Sequence, residues 1–443
     1  MSSLGNLLIV SQNHVRAVQV ASAFDRARYQ TRCVPSGAEA LAAIQADPPD
    51  VILAGDNLTD MSIRDFLSAL ANLPEARGIP VAADTADPAL WYAAQGGKPA
   101  IDDLLTEDFS TEAIIFRLLP LFRLSTMQSE LDWRRRCCFG GSDRGMPDFN
   151  EEPRTPAHGI YIGMNPNAGL PEGFLGGQVI WETATSLDEA ESLITGPGFR
   201  NVTVIDSDMN GLEAVALFCR DMRDNPRLFN LPFLVRVPMP SASAVRDLYR
   251  SGVNRVIDTA AAAEALAFEV GTLIRLQTRR NWVRDALQLT LDEGNGFPRQ
   301  GVYGEAFLKS YLEARLTWAN AHKRALSVVH LHLPEAESLL RESGEAACFS
   351  LAEQIARWLA RLVRVEDMTA RLSDSDFAVV LPDTLQSEAM FVMHRIAGVL
   401  TFTDFAVPFV YRPVKVWPLI GIAGREADDT PAAILERARQ ALA

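Results

Sequence analysis

The chain has 443 residues, enough for about three domains at the usual ~150 residues each, and its 48% hydrophobic content can fill several cores. With 42 Lys and Arg against 56 Asp and Glu, the formal net charge is −14. That excludes a general nucleic-acid binder, which needs surplus cations to neutralise phosphates, but it leaves room for a local arginine pocket. The N-terminus runs directly into an apolar segment, Leu7–Val10, with no basic stretch and no cleavage pattern of a signal peptide. Apolar runs are broken by charge well before the ~20 residues of a membrane helix. The five cysteines are scattered, without CxxC spacing, and read as reduced thiols rather than a disulfide or zinc framework. A cytoplasmic protein is expected.

Short apolar runs alternate with helical patterns from the start. Leu7–Val10, Asp50–Ala54, Gly78–Ala83 and Leu104–Leu105 read as buried strands, Ala17–Ala27 as a helix, and Thr111–Arg136 as a long closing helix. This alternation predicts a parallel sheet covered on both faces, over residues 1–136. The tail Arg134–Arg136 reads as a solvated helix end, and Cys137–Cys138 as an incidental pair opening a linker, 137–156, rich in Gly, Pro, Asp and Arg. The alternation then returns in Gly159–Ile162, Val202–Ile205, Pro232–Val235 and Arg255–Ile257, so residues 157–290 read as a second α/β unit and a diverged duplication of the first. Its last helix, from about Ala262 to Asp292, is long enough to serve as a lever or dimerisation stalk. Residues 291–443 carry an α+β pattern: helix Tyr303–Ala321, strand Ala325–His332, helix Gly344–Leu362, a hairpin of Met368–Leu372 and Phe377–Leu381, helix Ser387–Leu400, strand Val414–Ala423 and helix Pro431–Leu442.

The hairpin carries a resemblance. Arg364-Val365-Glu366-Asp367 precedes Met368–Leu372, the turn Ser373-Asp374-Ser375-Asp376 and the apolar strand Phe377–Pro382. Without a gap, this resembles the R-x-x-D, strand, G-G-[DE]-E-F turn and strand of the GGDEF domain of diguanylate cyclases. Leu419–Ala423 resembles that family's S-x-G-I-A strand, and Ala438–Leu442 its terminal helix. The two preceding units resemble response-regulator receiver domains. The implied fold class is α/β: two receiver-like, flavodoxin-like domains with parallel sheets, followed by a degenerate GGDEF domain of cyclase-like α+β fold.

The resemblance implies a silent cyclase. The turn's two glycines, which let backbone approach phosphates, are Ser373 and Asp374; the metal carboxylate at its third position is Ser375, and only Asp376 keeps an acid. The family's metal-binding D-x-D aligns with His330-Leu331-His332, and its base-recognising Asn falls near Ser338. Mg²⁺ favours oxygen ligands over imidazole. Lacking a third ligand in sequence reach, His330 and His332 read as partner or core residues rather than a metal site. No catalytic residue and no required metal are expected.

The regulatory half of the pattern is retained. Arg364 and Asp367 match the inhibitory R-x-x-D, where cyclic di-GMP docks in cyclases, and Arg395 falls at the spacing of the secondary arginine. A guanidinium presents planar donors to a guanine edge or phosphate, and a carboxylate accepts from guanine N1–H and N2–H. An Arg-x-x-Asp alone is more often a surface ion pair worth ~0–1 kcal/mol. Its register ahead of this hairpin gives it weight as a ligand site.

The receiver units are degenerate too. In the first, Ser11-Gln12 stand in the acidic metal positions, Gly55 in the phosphoacceptor register with Asp56 beside it, and Glu107 at the Lys; Thr85 matches. In the second, Asp206 fits the acceptor, but Met164-Asn165 replace the acidic pair and Asp258-Thr259 the Thr-Lys end. Asp56 and Asp206 read as vestigial phosphoacceptors in domains kept for docking and dimerisation. The expectation is a non-enzymatic, homodimeric cyclic di-GMP receptor and adaptor that recruits protein partners through its receivers, with no nucleic acid and no membrane insertion. The silent branch of the family implies cell-cycle control, localisation at a cell pole and regulated proteolysis. The alternative is a residual signalling enzyme, either a weak diguanylate cyclase or a phosphorylation-regulated response regulator.

Overall fold

The structure is a computed structural model that describes residues 2–56, 58–92, 101–106, 110–139, 156–165, 169–196, 198, 200–225, 228–293 and 296–442. The described residues of Asn6–Ser125 and Asp148–Trp282 form one compact unit, and those of Met1–Gly5, Thr126–Pro147 and Val283–Ala443 form another. No helix among the described residues is long and apolar enough to cross a membrane.

The first unit begins with strands β1 (Asn6–Val10), β2 (Gln30–Val34), β3 (Val51–Gly55), β4 (Val81–Thr85) and β5 (Asp103–Thr106). Between and after them come helices α1 (His14–Arg26), α2 (Gly37–Ala46), α3 (Ile63–Ala71), α4 (Ala89–Tyr92) and α5 (Thr111–Phe139). The sheet is parallel, in the order β2-β1-β3-β4-β5. Helices cover both faces, so its central strands are apolar throughout. Leu8, Val10 and Ile52 enter the core on one face, while Leu7, Ile9, Val51 and Leu53 enter the core on the other.

The fold then repeats with strands β6 (Ala157–Gly163), β7 (Val179–Ala184), β8 (Val202–Asp206), β9 (Phe233–Val237) and β10 (Arg255–Asp258). Its helices are α6 (Leu187–Thr195), α7 (Leu212–Asp224), α8 (Ala242–Arg250) and α9 (Ala263–Glu293). The parallel order β7-β6-β8-β9-β10 reproduces that of the first sheet. Serine N-caps recur in both halves: Ser36, Ser62, Ser186 and Ser241 each accept the backbone N–H three residues on.

The edge strands β2 and β7 were not expected, and α5 continues through Cys137 and Cys138 to Phe139, so that pair is helical rather than linker. Both cysteines are half-buried against the apolar core of the second unit. Residues 140–155, most of the expected linker, and Glu107 lie outside the described residues.

A buried charge quartet joins the two sheets of the first unit. Arg117 on α5 grips Asp103 on β5 at 2.5 and 3.0 Å, and Arg255 on β10 reaches Asp103 at 2.9 Å and Glu269 on α9 at 2.8 Å. Arg117 also approaches Glu269 at 3.4 Å, and all four side chains are at most 8% exposed. Burial alone would discharge Arg117, but Asp103 and Glu269 hold its guanidinium well on the charged side.

The second unit holds a six-stranded sheet of β11 (Gly296–Phe297), β12 (Val302–Gly304), β13 (Leu326–His332), β14 (Met368–Arg371), β15 (Asp376–Pro382) and β16 (Leu419–Gly424). The order is β11-β12-β14-β15-β13-β16. Helices α10 (Glu305–Ala321) and α14 (Pro431–Gln440) pack on one face; α11 (Pro334–Ser343), α12 (Glu345–Leu362) and α13 (Gln386–Thr401) pack on the other. Tyr303 lies in β12 rather than in a helix, and α11 is an additional helix, separated from α12 by Gly344 at φ +85°. The expected strand from Val414 is shorter: only Leu419–Gly424 joins the sheet, and Val414 instead pairs with Phe405 in an isolated bridge.

Removing one member of a buried ion cluster strands its partners without water. Asp103→Ala should destabilise the first unit by about 3–5 kcal/mol. The check is chemical denaturation of the full chain; an unchanged midpoint would mean that the quartet contributes nothing to stability.

Candidate ligand-binding site

Each receiver-like pocket is crossed by an internal charge pair. In the first, Arg16 on α1 donates from Nε and a terminal nitrogen to Asp84 on β4 at 2.6 and 3.0 Å, and also to the Thr106 carbonyl at 3.0 Å. A small cleft there is lined by Ser11, Arg16, Gly55 and Asp84, among others. Asp56 accepts the Ala86 backbone N–H at 3.0 Å, bridging the loops after β3 and β4 beside Thr85. Asp56 thus acts as a loop tie.

In the second pocket Asp206, at the end of β8, is fully buried. Its Oδ2 accepts from the Tyr161 hydroxyl at 2.6 Å and from Arg236 at 3.0 Å. Burial raises its pKa, against the lowering effects of Tyr161 and Arg236. Arg236 is opposite Asp206 in the β8–β9 register, so the strand pairing itself sets the ion pair. Asp258 ends β10, the fifth strand, and so stands at the Lys end rather than at the Thr position after β9; it spends its carboxylate on the backbone N–H groups of Met239 and Ala260.

In the second unit, the Ser373–Asp376 turn closes on itself. His330 Nε2 lies 2.9 Å and His332 Nδ1 3.0 Å from Asp376 Oδ1, while Ser373 and Ser375 donate hydroxyls to Oδ2 at 2.8 and 2.7 Å. The β13–β15 register sets His332 opposite Asp376, and His330, two residues back, shares that face of the sheet. The His330 hydrogen bond first, and then those from Ser375, Ser373 and His332, pull the Asp376 carboxyl well below the usual carboxylate range despite partial burial. Asp374 pairs with Arg371 at 2.5 Å. Two imidazoles and a carboxylate already holding four polar contacts do not fit Mg²⁺, a hard cation that takes oxygen ligands. Among the described residues, no group of three or more His, Cys, Asp or Glu is arranged to hold a metal ion. Ser338 accepts a contact from Arg341 on α11.

The R-x-x-D turn is built differently. It follows α12 directly: Arg364 N–H donates to Asp367 Oδ2 at 2.8 Å, and Asp367 N–H to the Arg364 carbonyl at 3.1 Å. Asp367 is buried and Arg364 is exposed. The structure therefore brings these two residues together. Arg395 is exposed on α13, whose Met393 and Ile396 share a core with Ile355 and Leu359 of α12.

Beneath the turn lies a residue that sequence reasoning misread. Arg134 is buried, not a solvated helix end, and donates to the carbonyls of Glu366 at 2.6 Å and Asp367 at 3.1 Å. Its guanidinium lies over the Tyr303 ring at 5.6 Å and 3.8 Å from Glu130. Glu130, itself fully buried, accepts from Tyr311 at 2.6 Å and Arg315 at 2.9 Å. The available signal was the apolar Cys-Cys-Phe that continues the helix beyond the arginines.

Two parallel-sheet α/β domains followed by a cyclase-like sheet define a chain of receiver–receiver–GGDEF architecture. A family model described as "Diguanylate cyclase, GGDEF domain" matches residues 300–443. The chain is similar to the response regulator PleD of Caulobacter vibrioides, at 21% identity over 430 residues, covering 93% of this chain and 90% of that protein. Among solved structures it is similar to the FimX GGDEF domain of Pseudomonas aeruginosa, at 20% identity and TM-score 0.31, covering 33% of this chain and 91% of that one. It is also similar to the GGDEF domain of DgcB from Caulobacter crescentus in complex with c-di-GMP, at 14% identity and TM-score 0.30, covering 31% and 80%.

A true phosphoacceptor is dispensable for folding, whereas a buried carboxylate facing an arginine is not. Asp206→Ala should cost about 3–5 kcal/mol of stability by leaving Arg236 without its partner. Small phosphodonors with Mg²⁺ should label neither receiver-like domain, as read by intact mass. Label that disappears in Asp206→Asn would instead make the second domain a live receiver.

Proposed function

We propose that this protein is a non-enzymatic receptor for cyclic di-GMP, which docks on Arg364, Asp367 and Arg395, and that the ligand-bound chain acts as an adaptor, recruiting partner proteins through its receiver-like domains as a homodimer. One contrast carries the reading. The acid left in the degenerate turn is engaged by His330, His332, Ser373 and Ser375, while Arg364 on its ordered turn and Arg395 remain exposed. Loss of the catalytic groups beside retention of a ligand set is the pattern of a receptor. The similarity to PleD and to a GGDEF domain solved with c-di-GMP is in keeping with it.

With so degenerate a turn the chain resembles PopA, a catalytically silent paralogue of PleD. That resemblance points to cell-cycle control, in which a ligand-bound form localises to a cell pole and helps deliver a regulator to a protease. Asp56 and Asp206, tied into their own domains, are vestigial acceptors in this reading, and no metal is required.

Cyclic di-GMP offers two phosphates and guanine edges, so it needs arginines from more than one element. Each charge-assisted contact is worth ~1.5–3 kcal/mol, or roughly ten- to a hundredfold in affinity. In calorimetric titrations of the full chain, Arg364→Ala should abolish binding at micromolar ligand with the fold intact, and Arg395→Ala should weaken it by less. Binding unaffected by Arg364→Ala would place the ligand elsewhere.

Purified protein with GTP and Mg²⁺ or Mn²⁺ should make no cyclic di-GMP above a no-enzyme blank. Turnover at ordinary cyclase rates would replace the receptor with a signalling enzyme.

A further inference from the structure

The end of α12 is unusual for so acidic a chain. From Gln354 to Val365 the sequence holds Arg357, Trp358, Arg361 and Arg364 and no carboxylate. Arg357, Trp358, Arg361 and Arg364 are all exposed. Among the described residues, no ion pair or hydrogen bond engages the side chains of Arg357, Arg361 or Arg395, although ion pairs take up most other arginines of this unit. The next acids, Glu366 and Asp367, are buried.

The direction of this surface is set by Gln354, whose side chain donates to the Ala406 carbonyl, just beyond the end of α13, at 2.8 Å. Trp358 and Arg361 follow Gln354 at i+4 and i+7, so they share its face of α12, the flank toward α13. On α13 itself, Phe391 and Arg395 are again i and i+4 and lie on one exposed stripe. Phe391 is 80% exposed and Trp358 38%. Large aromatic faces left in water beside unpaired guanidinium groups suit a ligand that is both flat and anionic. A purine dinucleotide has that chemistry: bases to stack and phosphates to pair.

We propose that Trp358, Arg361 and Phe391 extend the dinucleotide site from the R-x-x-D turn onto the exposed faces of α12 and α13, with the two aromatic rings stacking on guanine faces and Arg361 pairing a phosphate. This rests on the receptor reading above and assigns it three further residues. Stacking of a base on an aromatic side chain is sequence-tolerant, so Trp358→Phe should retain most of the affinity.

The test is calorimetric titration of the full chain with cyclic di-GMP. Trp358→Ala and Phe391→Ala should each weaken binding about 5- to 150-fold, and Arg361→Ala about 10- to 100-fold. Trp358→Phe should restore most of what Trp358→Ala loses. Lys309→Ala removes an equal charge from α10, on the opposite face of the sheet, and should leave binding unchanged. All four positions are exposed, so thermal midpoints should stay near that of the wild type. Wild-type affinity in Trp358→Ala and Arg361→Ala, with binding lost in Arg364→Ala, would overturn the extension and leave the receptor reading standing. No binding by the wild type would remove both.

Discussion

The carboxylate of Glu130 is the point on which the candidate site rests. It is fully buried, and it is held by Tyr311 and Arg315 on α10. An isolated charge in such a place would be prohibitive, and its arrangement with Arg134 and Arg315 makes it tolerable. Arg134, kept charged beside it, spends its donors on the carbonyls of Glu366 and Asp367. The R-x-x-D turn is thereby anchored from below by a side chain of α5. Its own hydrogen bonds, between Arg364 and Asp367, then shape the exposed edge. A ligand meeting Arg364 meets a turn whose backbone is already ordered, which lowers the entropic cost of binding.

The same chemistry recurs in both receiver-like pockets and in the Ser373–Asp376 turn. Arg16 spans the first receiver-like pocket to Asp84, and Arg236 and Tyr161 close on Asp206 in the second. Two imidazoles and two hydroxyls close on Asp376 in the hairpin turn of the second unit. In all three places the chain's own side chains pair with the carboxylate, although in the second pocket only Oδ2 of Asp206 is engaged and its buried Oδ1 has no hydrogen-bond partner among the described residues. What differs is the R-x-x-D turn, where buried groups support the backbone and leave the arginine outward.

The central elements were legible in the sequence because their physics is local. Buried parallel strands such as β3 are uninterrupted apolar runs. The edge strands β2 and β7 were not legible: Gln-Thr-Arg-Cys-Val and Val-Ile-Trp-Glu-Thr-Ala are paired on one side only and largely uncovered, so they lack an apolar signature. Arg364 and Asp367 were found because the R-x-x-D pattern, and the two hydrogen bonds that shape its turn, lie within four residues. Arg134 was not, because its partners are 232 and 233 residues away and a run of arginines at a helix end resembles a solvated one. Nor could sequence reveal that Asp206 is caged, since Tyr161 and Arg236 meet it only through the strand order β6-β8-β9.

The buried quartet shows how a duplicated fold can be made to pair with its own other half. Asp103 and Arg255 are the first residues of β5 and β10, and Arg117 and Glu269 the seventh residues of α5 and α9, so the two halves use equivalent positions with the charges exchanged. The contacts between halves are Asp103 with Arg255 and Arg117 with Glu269. If two copies of the first half met through this face in the same way, Asp103 would face Asp103 and Arg117 would face Arg117. Two copies of the second half would oppose Arg255 with Arg255 and Glu269 with Glu269. Buried like charges at such distances cost several kcal/mol, so the exchange favours the pairing within one chain and penalises each self-pairing. Hydrophobic contacts of equal area would stabilise all three arrangements alike; the charges are what make the two halves distinguishable.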